Sequence, residues 1–272
     1  MNLKPLLNIS FFILMLSTFS FLAKAEVDDI GEAGLNYLFH SEFLTTLYGD
    51  KPVSFLSWGL PREQARDQAV QEALARPLVR HELSRRGVEI HRLTERPEWN
   101  PKIELVYYLV INQAAFAAVL NDPLKKKLLD DIEFENSSVH LAKKKFLQML
   151  STWQKHQGEL QANAALGIFL GYPEEAVRSF VSPMNEEENM SKNVTYNYYA
   201  GPREEFKLGA FTFPEPNEKI QQEVLRFQQN SFKAVETVVA QQTQGKSFTQ
   251  ILAGWKQSSF SDSSRLRCSA IF

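Results

Sequence analysis

The chain has 272 residues, of which 44% are hydrophobic and 23% charged, a composition typical of a folded globular protein. Its formal net charge of -2 creates no broad positive field, so composition argues against nucleic acid as a partner. The single cysteine, Cys268, excludes an internal disulfide, so the core must be stable without covalent cross-links.

The amino-terminal segment has the three parts of a secretory signal sequence. Lys4 precedes an uncharged, largely apolar run over residues 6–22, and the small residues Ala23 and Ala25 stand where a signal peptidase cleaves. We predict that residues 1–25 are a signal peptide cleaved after Ala25 and that the mature protein is periplasmic or secreted. An uncleaved membrane anchor is the alternative, because about 17 uncharged residues lie at the lower limit of a membrane span.

The rest of the chain mixes helical and strand patterns. Apolar residues at helical spacing predict helices over residues 30–48, 61–86, 113–120, 139–153, 217–244 and 248–255. Two short helices, broken at 171–173, are predicted over 161–181, and a further helix is capped by 121–123. Alternating or continuous apolar runs predict strands over 52–58, 88–93, 103–111 and 194–199. Residues 103–111 are apolar enough to lie in the middle of a sheet.

These patterns predict an α+β fold: a small mixed sheet of three or four strands flanked by many helices, with a helix-rich C-terminal half. We expect Pro77 to kink or divide the helix over 61–86, because proline cannot continue a helical hydrogen-bond ladder. We predict a single domain over residues 26–256 and a flexible polar tail over residues 257–272.

Residues 164–181 carry the most specific pattern in the chain, A-A-L-G-I-F-L-G-Y-P-E-E-A-V-R-S-F-V. It resembles H-E-I-G-x-F-L-G-Y-P-x-x-D-V-x-G-F-I, a stretch of a bacterial family known only as a domain of unknown function. The K-P-V-S-F-L run over residues 51–56 and the aromatic run over residues 196–205 are similar to other pieces of that family, in the same order. The resemblance implies the fold and brings no activity with it.

Two departures from the family pattern bear on function. The family's His-Glu pair falls at Ala164 and Ala165 here, so any chemistry that rests on that pair is missing. Members are generally cytoplasmic, whereas this chain carries an export signal. A helix-turn-helix interpretation of the same segment is disfavoured, because Glu174 and Glu175 would repel the phosphates of DNA.

Four residues are candidates for ligand binding: Lys51, Tyr172, Tyr196 and Tyr198. Tyr172 lies at the turn after Gly171, where packing alone does not fix its role. Alternation on a strand would place Tyr196 and Tyr198 on one face, where paired tyrosines can stack on a ligand and offer hydroxyl groups. The alternative is that these tyrosines cover the edge of the core.

No motif predicts a catalytic residue, a metal site or a cofactor. The five histidines, listed by position, are His40, His81, His91, His140 and His156, and no two have the spacing of metal ligands. Nucleotide-binding and nucleophile-elbow patterns are also absent.

The sequence therefore favours an exported, non-enzymatic protein that binds an unknown small molecule or protein and meets the membrane only through its signal segment. One alternative is an enzyme of unrecognised type that uses scattered carboxylates and histidines. Another is a secreted interaction or effector protein that presents the long helix over residues 217–244.

Overall fold

A computed structural model describes residues 29–48, 51–153, 159–174, 177–178, 193–199, 207–214 and 218–254. The predicted signal peptide, the predicted polar tail and Cys268 lie outside these residues. Within them the helices are α1 (Ile30–Phe39), α2 (Phe43–Tyr48), α3 (Gln64–Ala75), α4 (Pro77–Arg85), α5 (Gln113–Asn121), α6 (Pro123–Asp131), α7 (Val139–Ser151), α8 (Leu160–Phe169), α9 (Glu218–Thr243) and α10 (Phe248–Gly254). The strands are β1 (Val53–Leu60), β2 (Val88–Glu95), β3 (Glu104–Asn112), β4 (Asn193–Tyr199) and β5 (Lys207–Pro214).

The α+β class is confirmed, but the paired strands are antiparallel rather than mixed. β1 and β2 both pair with β3, in the order β1-β3-β2, and β4 pairs with β5 in a separate two-stranded sheet. The two helices between β1 and β2 form the kind of connection that usually joins parallel neighbours. Because β3 inserts between β1 and β2, those two strands never pair with each other, and no parallel pair forms among the described strands.

Helices cover both faces of the central strand β3. Tyr108 faces α3 and donates a hydrogen bond to Asp67 (2.7 Å), while Tyr107 faces the other side and stacks on Phe55, with 5.0 Å between ring centroids. On that second side, Glu89 of β2 binds Lys143 of α7 at 2.7 Å. Burial on both faces explains why β3 is a continuous apolar run, as the sequence predicted.

Helices α1 and α3 pack closely because small residues meet between them. The backbone of Gly34 lies directly against the Ala69 carbonyl, and the Ala73 side chain is next to it. A side chain at position 34 would overlap that carbonyl. The absence of a side chain at Gly34 therefore sets the distance between these two helices.

Helix α9 belongs partly to the core. Val235 and Val238 are buried, whereas Leu225, nearer the start of the helix, is exposed. The second half of α9 is thus packed into the domain instead of projecting from it. No helix in the described part of the chain is long and apolar enough to cross a membrane.

Candidate functional site

The predicted turn at Gly171 closes helix α8. The Tyr172 amide donates to the Gly167 carbonyl (2.9 Å) and the Gly171 amide donates to the Ile168 carbonyl (3.1 Å), the hydrogen bonds of a left-handed helix end. Gly171 has a φ of 85°, a conformation that glycine adopts without steric cost. Residues 171–173 form a corner after α8. This corner packs on the start of β1, since a Cβ at Gly171 would lie 3.3 Å from Pro52 Cδ.

Two of the four predicted ligand-binding residues come together at this corner. Lys51 Nζ donates to Glu42 Oε2 at 2.5 Å, and the Lys51 side chain is only 4% exposed. Tyr172 is 8% exposed, and burial raises the pKa of its hydroxyl. The Glu42 carboxylate raises that pKa further. Pro52, which follows Lys51, packs on Gly171, which precedes Tyr172, so both candidate residues are buried at this corner.

The other two predicted residues lie on strand β4. Tyr196 pairs with Phe211 of β5, and the register shifts between Asn197 and Tyr199, which is where Tyr198 stands. The backbone of β5 contacts α2, the helix that follows Glu42. The side chains of Tyr196 and Tyr198 lie outside the described residues, so their predicted common face stays a prediction.

A groove lies beside the corner, between helices α6 and α8 and the segment 177–178. It has a volume of about 350 Å³ and is half open to solvent. Its lining consists of Leu128, Asp131, Ile132, Ala164, Ile168, Val177 and Arg178. The apolar members are all buried, so they form a floor, and the two charged members are exposed at its rim.

The two charged rim residues differ in how they are held. Arg178 Nε donates to Glu174 Oε1 at 2.8 Å, one turn earlier, and the Arg178 side chain is 43% exposed. The side chain of Asp131, at the end of α6, makes no hydrogen bond or ion pair with any described residue. Arg178 has further donors beyond Nε, because a guanidinium carries five N–H groups. Both residues thus have unused capacity for polar contacts.

Gly167 connects the groove to the corner. A Cβ at this glycine would lie 3.3 Å from Tyr172 Cδ2 and 3.4 Å from Val177 Cγ2. Tyr172 and Val177 therefore pack on the same point of α8, and Val177 in turn lines the groove. Tyr172 lies next to the groove without forming part of its lining.

Sequence reasoning missed the rim residues. Arg178 lies within the family-like segment but was not singled out as a ligand contact, and Asp131 follows Asp130 in a short acidic pair that resembles ordinary surface. Ala164, where the family pattern has His, does line the groove. The position at which the chain departs from the family pattern therefore lies in the groove lining.

A second buried carboxylate, Asp67, is fully engaged in structure. It accepts hydrogen bonds from Arg92 (2.8 and 3.1 Å), Tyr108 (2.7 Å) and Gln71 (2.8 Å), which tie α3 to β2 and β3. Burial raises the pKa of Tyr108, and its hydrogen bond to Asp67 adds to that effect. This network uses all of the capacity of Asp67 and opens onto no described cavity.

The histidines form no centre in the described part of the chain. His40 bonds to a carbonyl of its own helix (Nδ1 to Asn36 O, 2.8 Å), and His91 lies 3.1 Å from Glu89. None of His40, His81, His91 and His140 lines the groove, and His156 is outside the described residues. The described residues contain no group of three or more side chains that could hold a metal ion.

Fold and groove together define an α+β domain with a small, mainly apolar cleft. A family model described as "Protein of unknown function (DUF3793)" matches residues 41–230, more than half of the chain, so the chain belongs to this family. The resemblance inferred from residues 164–181 is thereby confirmed. The match includes the ion pair, the corner and the groove. No curated protein and no solved structure matches the chain.

Proposed function

We propose that this protein is an exported, non-enzymatic binding protein that holds a small amphipathic molecule in the groove between α6, α8 and residues 177–178. The observation that carries the proposal is the groove itself: an apolar floor of about 350 Å³ with charged groups at its rim. Small-molecule sites in proteins are clefts of roughly 300–1,000 Å³ with mostly apolar walls and a few polar groups that orient the ligand.

The chemistry of the rim supports binding over catalysis. General acid–base catalysis needs a group that exchanges a proton near the working pH. Of the two charged residues in the lining, Arg178 is a guanidinium, which stays protonated in proteins. Asp131 has no second titratable group in the lining that could act with it.

The residues predicted from sequence take different parts in this proposal. Lys51 and Tyr172 support the corner from the inside, because both are buried, Lys51 pairs with Glu42, and Tyr172 packs on Gly167 of α8. Tyr196 and Tyr198 stay proposed ligand contacts on β4. Export rests on the amino-terminal sequence, with Glu26 as the first residue of the mature chain.

Native mass spectrometry of the protein purified from its own producer tests the proposal. We expect a mass that begins at Glu26 together with a retained small molecule. The variant Ala164→Phe, which fills the groove from its floor, should lose that molecule. The matched control Asn163→Ala, on an exposed position of the same helix, should keep it. Thermal unfolding checks that both variants fold.

Two results would contradict the groove as a binding site. One is a wild-type protein that retains no species, and the other is a folded Ala164→Phe variant that retains it as well as the wild type does. An intact Met1 would contradict export and leave the groove to be judged by the variant pair.

A further inference from the structure

The rim of the groove carries one negative and one positive group, which come from different segments of the chain. Asp131 ends α6, whereas Arg178 belongs to the helical turn after the Gly171 corner. Both line the groove, yet no ion pair joins them. Arg178 is paired with Glu174 through Nε alone, so its remaining N–H groups and the Asp131 carboxylate can still contact a ligand that carries both complementary charges.

The hydrogen-bonding capacity of each group matches one end of a zwitterion. The free carboxylate of Asp131 can accept from an ammonium group. Glu174 holds Arg178 through Nε at 2.8 Å, which fixes the guanidinium and leaves its outer nitrogens to form a fork with a carboxylate. Resting on the binding function proposed above, we propose that the ligand is a free amino acid with an apolar side chain, bound as a zwitterion.

The apolar floor of the groove determines which kind of side chain the bound amino acid would have. Leu128, Ile132, Ile168 and Val177 are buried hydrocarbon, and a polar ligand side chain placed on them would lose its hydrogen bonds to water. An aliphatic or aromatic side chain gains from the same contact. The volume of about 350 Å³ lies at the lower end of small-molecule sites, which suits one residue and not a longer peptide.

Ligands with a single charge fit less well. A fatty acid or an aryl carboxylate would satisfy Arg178 and place Asp131 beside the anionic or apolar part of the ligand. An alkylamine would satisfy Asp131 and leave the outer nitrogens of Arg178 over the cleft without an acceptor. Both rim groups are exposed and return to water when no ligand group meets them, so each missing contact should lower the affinity about threefold to fivefold.

Isothermal titration calorimetry on the mature protein, dialysed free of any retained species, tests the inference with matched probes. The zwitterions are L-leucine and L-phenylalanine. Isopentylamine and 2-phenylethylamine lack the carboxylate, and 4-methylpentanoate and 3-phenylpropanoate lack the ammonium group. We expect at least one zwitterion to bind and both of its singly charged analogues to bind at least about threefold more weakly.

Substitutions of the two rim residues test whether the amino acid binds in this groove. Asp131→Asn and Arg178→Met should each weaken binding of the zwitterion at least about threefold, because each removes one exposed charged contact. Arg62→Met serves as the matched control, since Arg62 is highly exposed and lies outside the groove lining. It should leave the affinity unchanged.

The outcomes separate this inference from the binding function. An analogue that binds as tightly as its amino acid, or binding that survives both rim substitutions, overturns the zwitterion and leaves the groove in place. A retained natural ligand that lacks the positive or the negative charge, and that Ala164→Phe displaces, also overturns the zwitterion and leaves the groove in place. If no probe binds and Ala164→Phe displaces no retained species, both proposals fail.

Discussion

The buried ion pair of Lys51 and Glu42 stabilises the corner beside the groove, and its contribution can be measured. The variant Lys51→Met removes the ammonium group and keeps the length and the apolar stem of the side chain. Glu42 then loses the Nζ that lies 2.5 Å from its carboxylate, in a region where Glu42 is only 14% exposed. The loss of one partner of a buried pair costs about 3–5 kcal/mol.

We expect the lower end of that range, about 3 kcal/mol, because Glu42 keeps some contact with solvent. Urea unfolding at pH 7, followed by circular dichroism at 222 nm, gives the change in the free energy of unfolding. Arg96→Met is the matched control: Arg96 is 73% exposed and lies 3.7 Å from Glu104. An exposed pair of this kind contributes less than about 1 kcal/mol.

The double variant Lys51→Met with Glu42→Gln separates the pair from the packing of its stems. Lys51→Met leaves the Glu42 carboxylate without its ion-pair partner, and Glu42→Gln removes that charge. The double variant should therefore lose less stability than the two single variants added together. If Lys51→Met costs no more than Arg96→Met, or if the two changes are simply additive, the ion pair does not hold the corner.

Two further predictions concern the parts of the fold on either side of the sheet. Gly34→Ala should lower the free energy of unfolding by about 2 kcal/mol or more, because its Cβ would overlap the Ala69 carbonyl, whereas Gly254→Ala, which would meet no atom, should change it by less than about 0.5 kcal/mol in the same urea titration. Burial alone would raise the pKa of Glu89, but its hydrogen bonds, above all from Lys143, outweigh burial and lower the pKa. The folded pKa is thus below the unfolded one, so the stabilisation by Glu89 is present above the unfolded pKa and is lost as the pH falls through the folded one. Glu89→Gln should be less stable than the wild type at pH 7, and a difference that stays constant down to pH 3 would refute this.

Local patterns were sufficient to predict most of the secondary structure. The apolar run of β3 and the alternation of β2 depend on neighbouring residues, and the structure confirms both strands. Pro77 divides the helix over 61–86 as expected, and it begins α4. Strand β5 was missed: its pairing with β4 depends on a partner about a dozen residues away, and K-L-G-A-F-T-F-P has no strong alternation of its own.

Features that depend on contacts across the chain were not predictable in this way. The prediction of a mixed sheet was wrong, because the insertion of β3 between β1 and β2 depends on packing across the chain and not on local sequence. Lys51 was noticed, but its ion-pair partner, Glu42, lies in a different segment of the chain that has no distinctive pattern. Asp131 and Arg178 likewise come from separate helices, and only the folded chain brings them to one groove.

The departure from the family pattern at Ala164 has a physical consequence for this groove. Ala164 is buried in the floor, where a methyl group leaves the space that a ligand would use. An imidazole at the same position would fill part of that space. The small side chain of Ala164 therefore keeps this part of the groove open, which is why Ala164→Phe is the variant that tests the proposed function most directly.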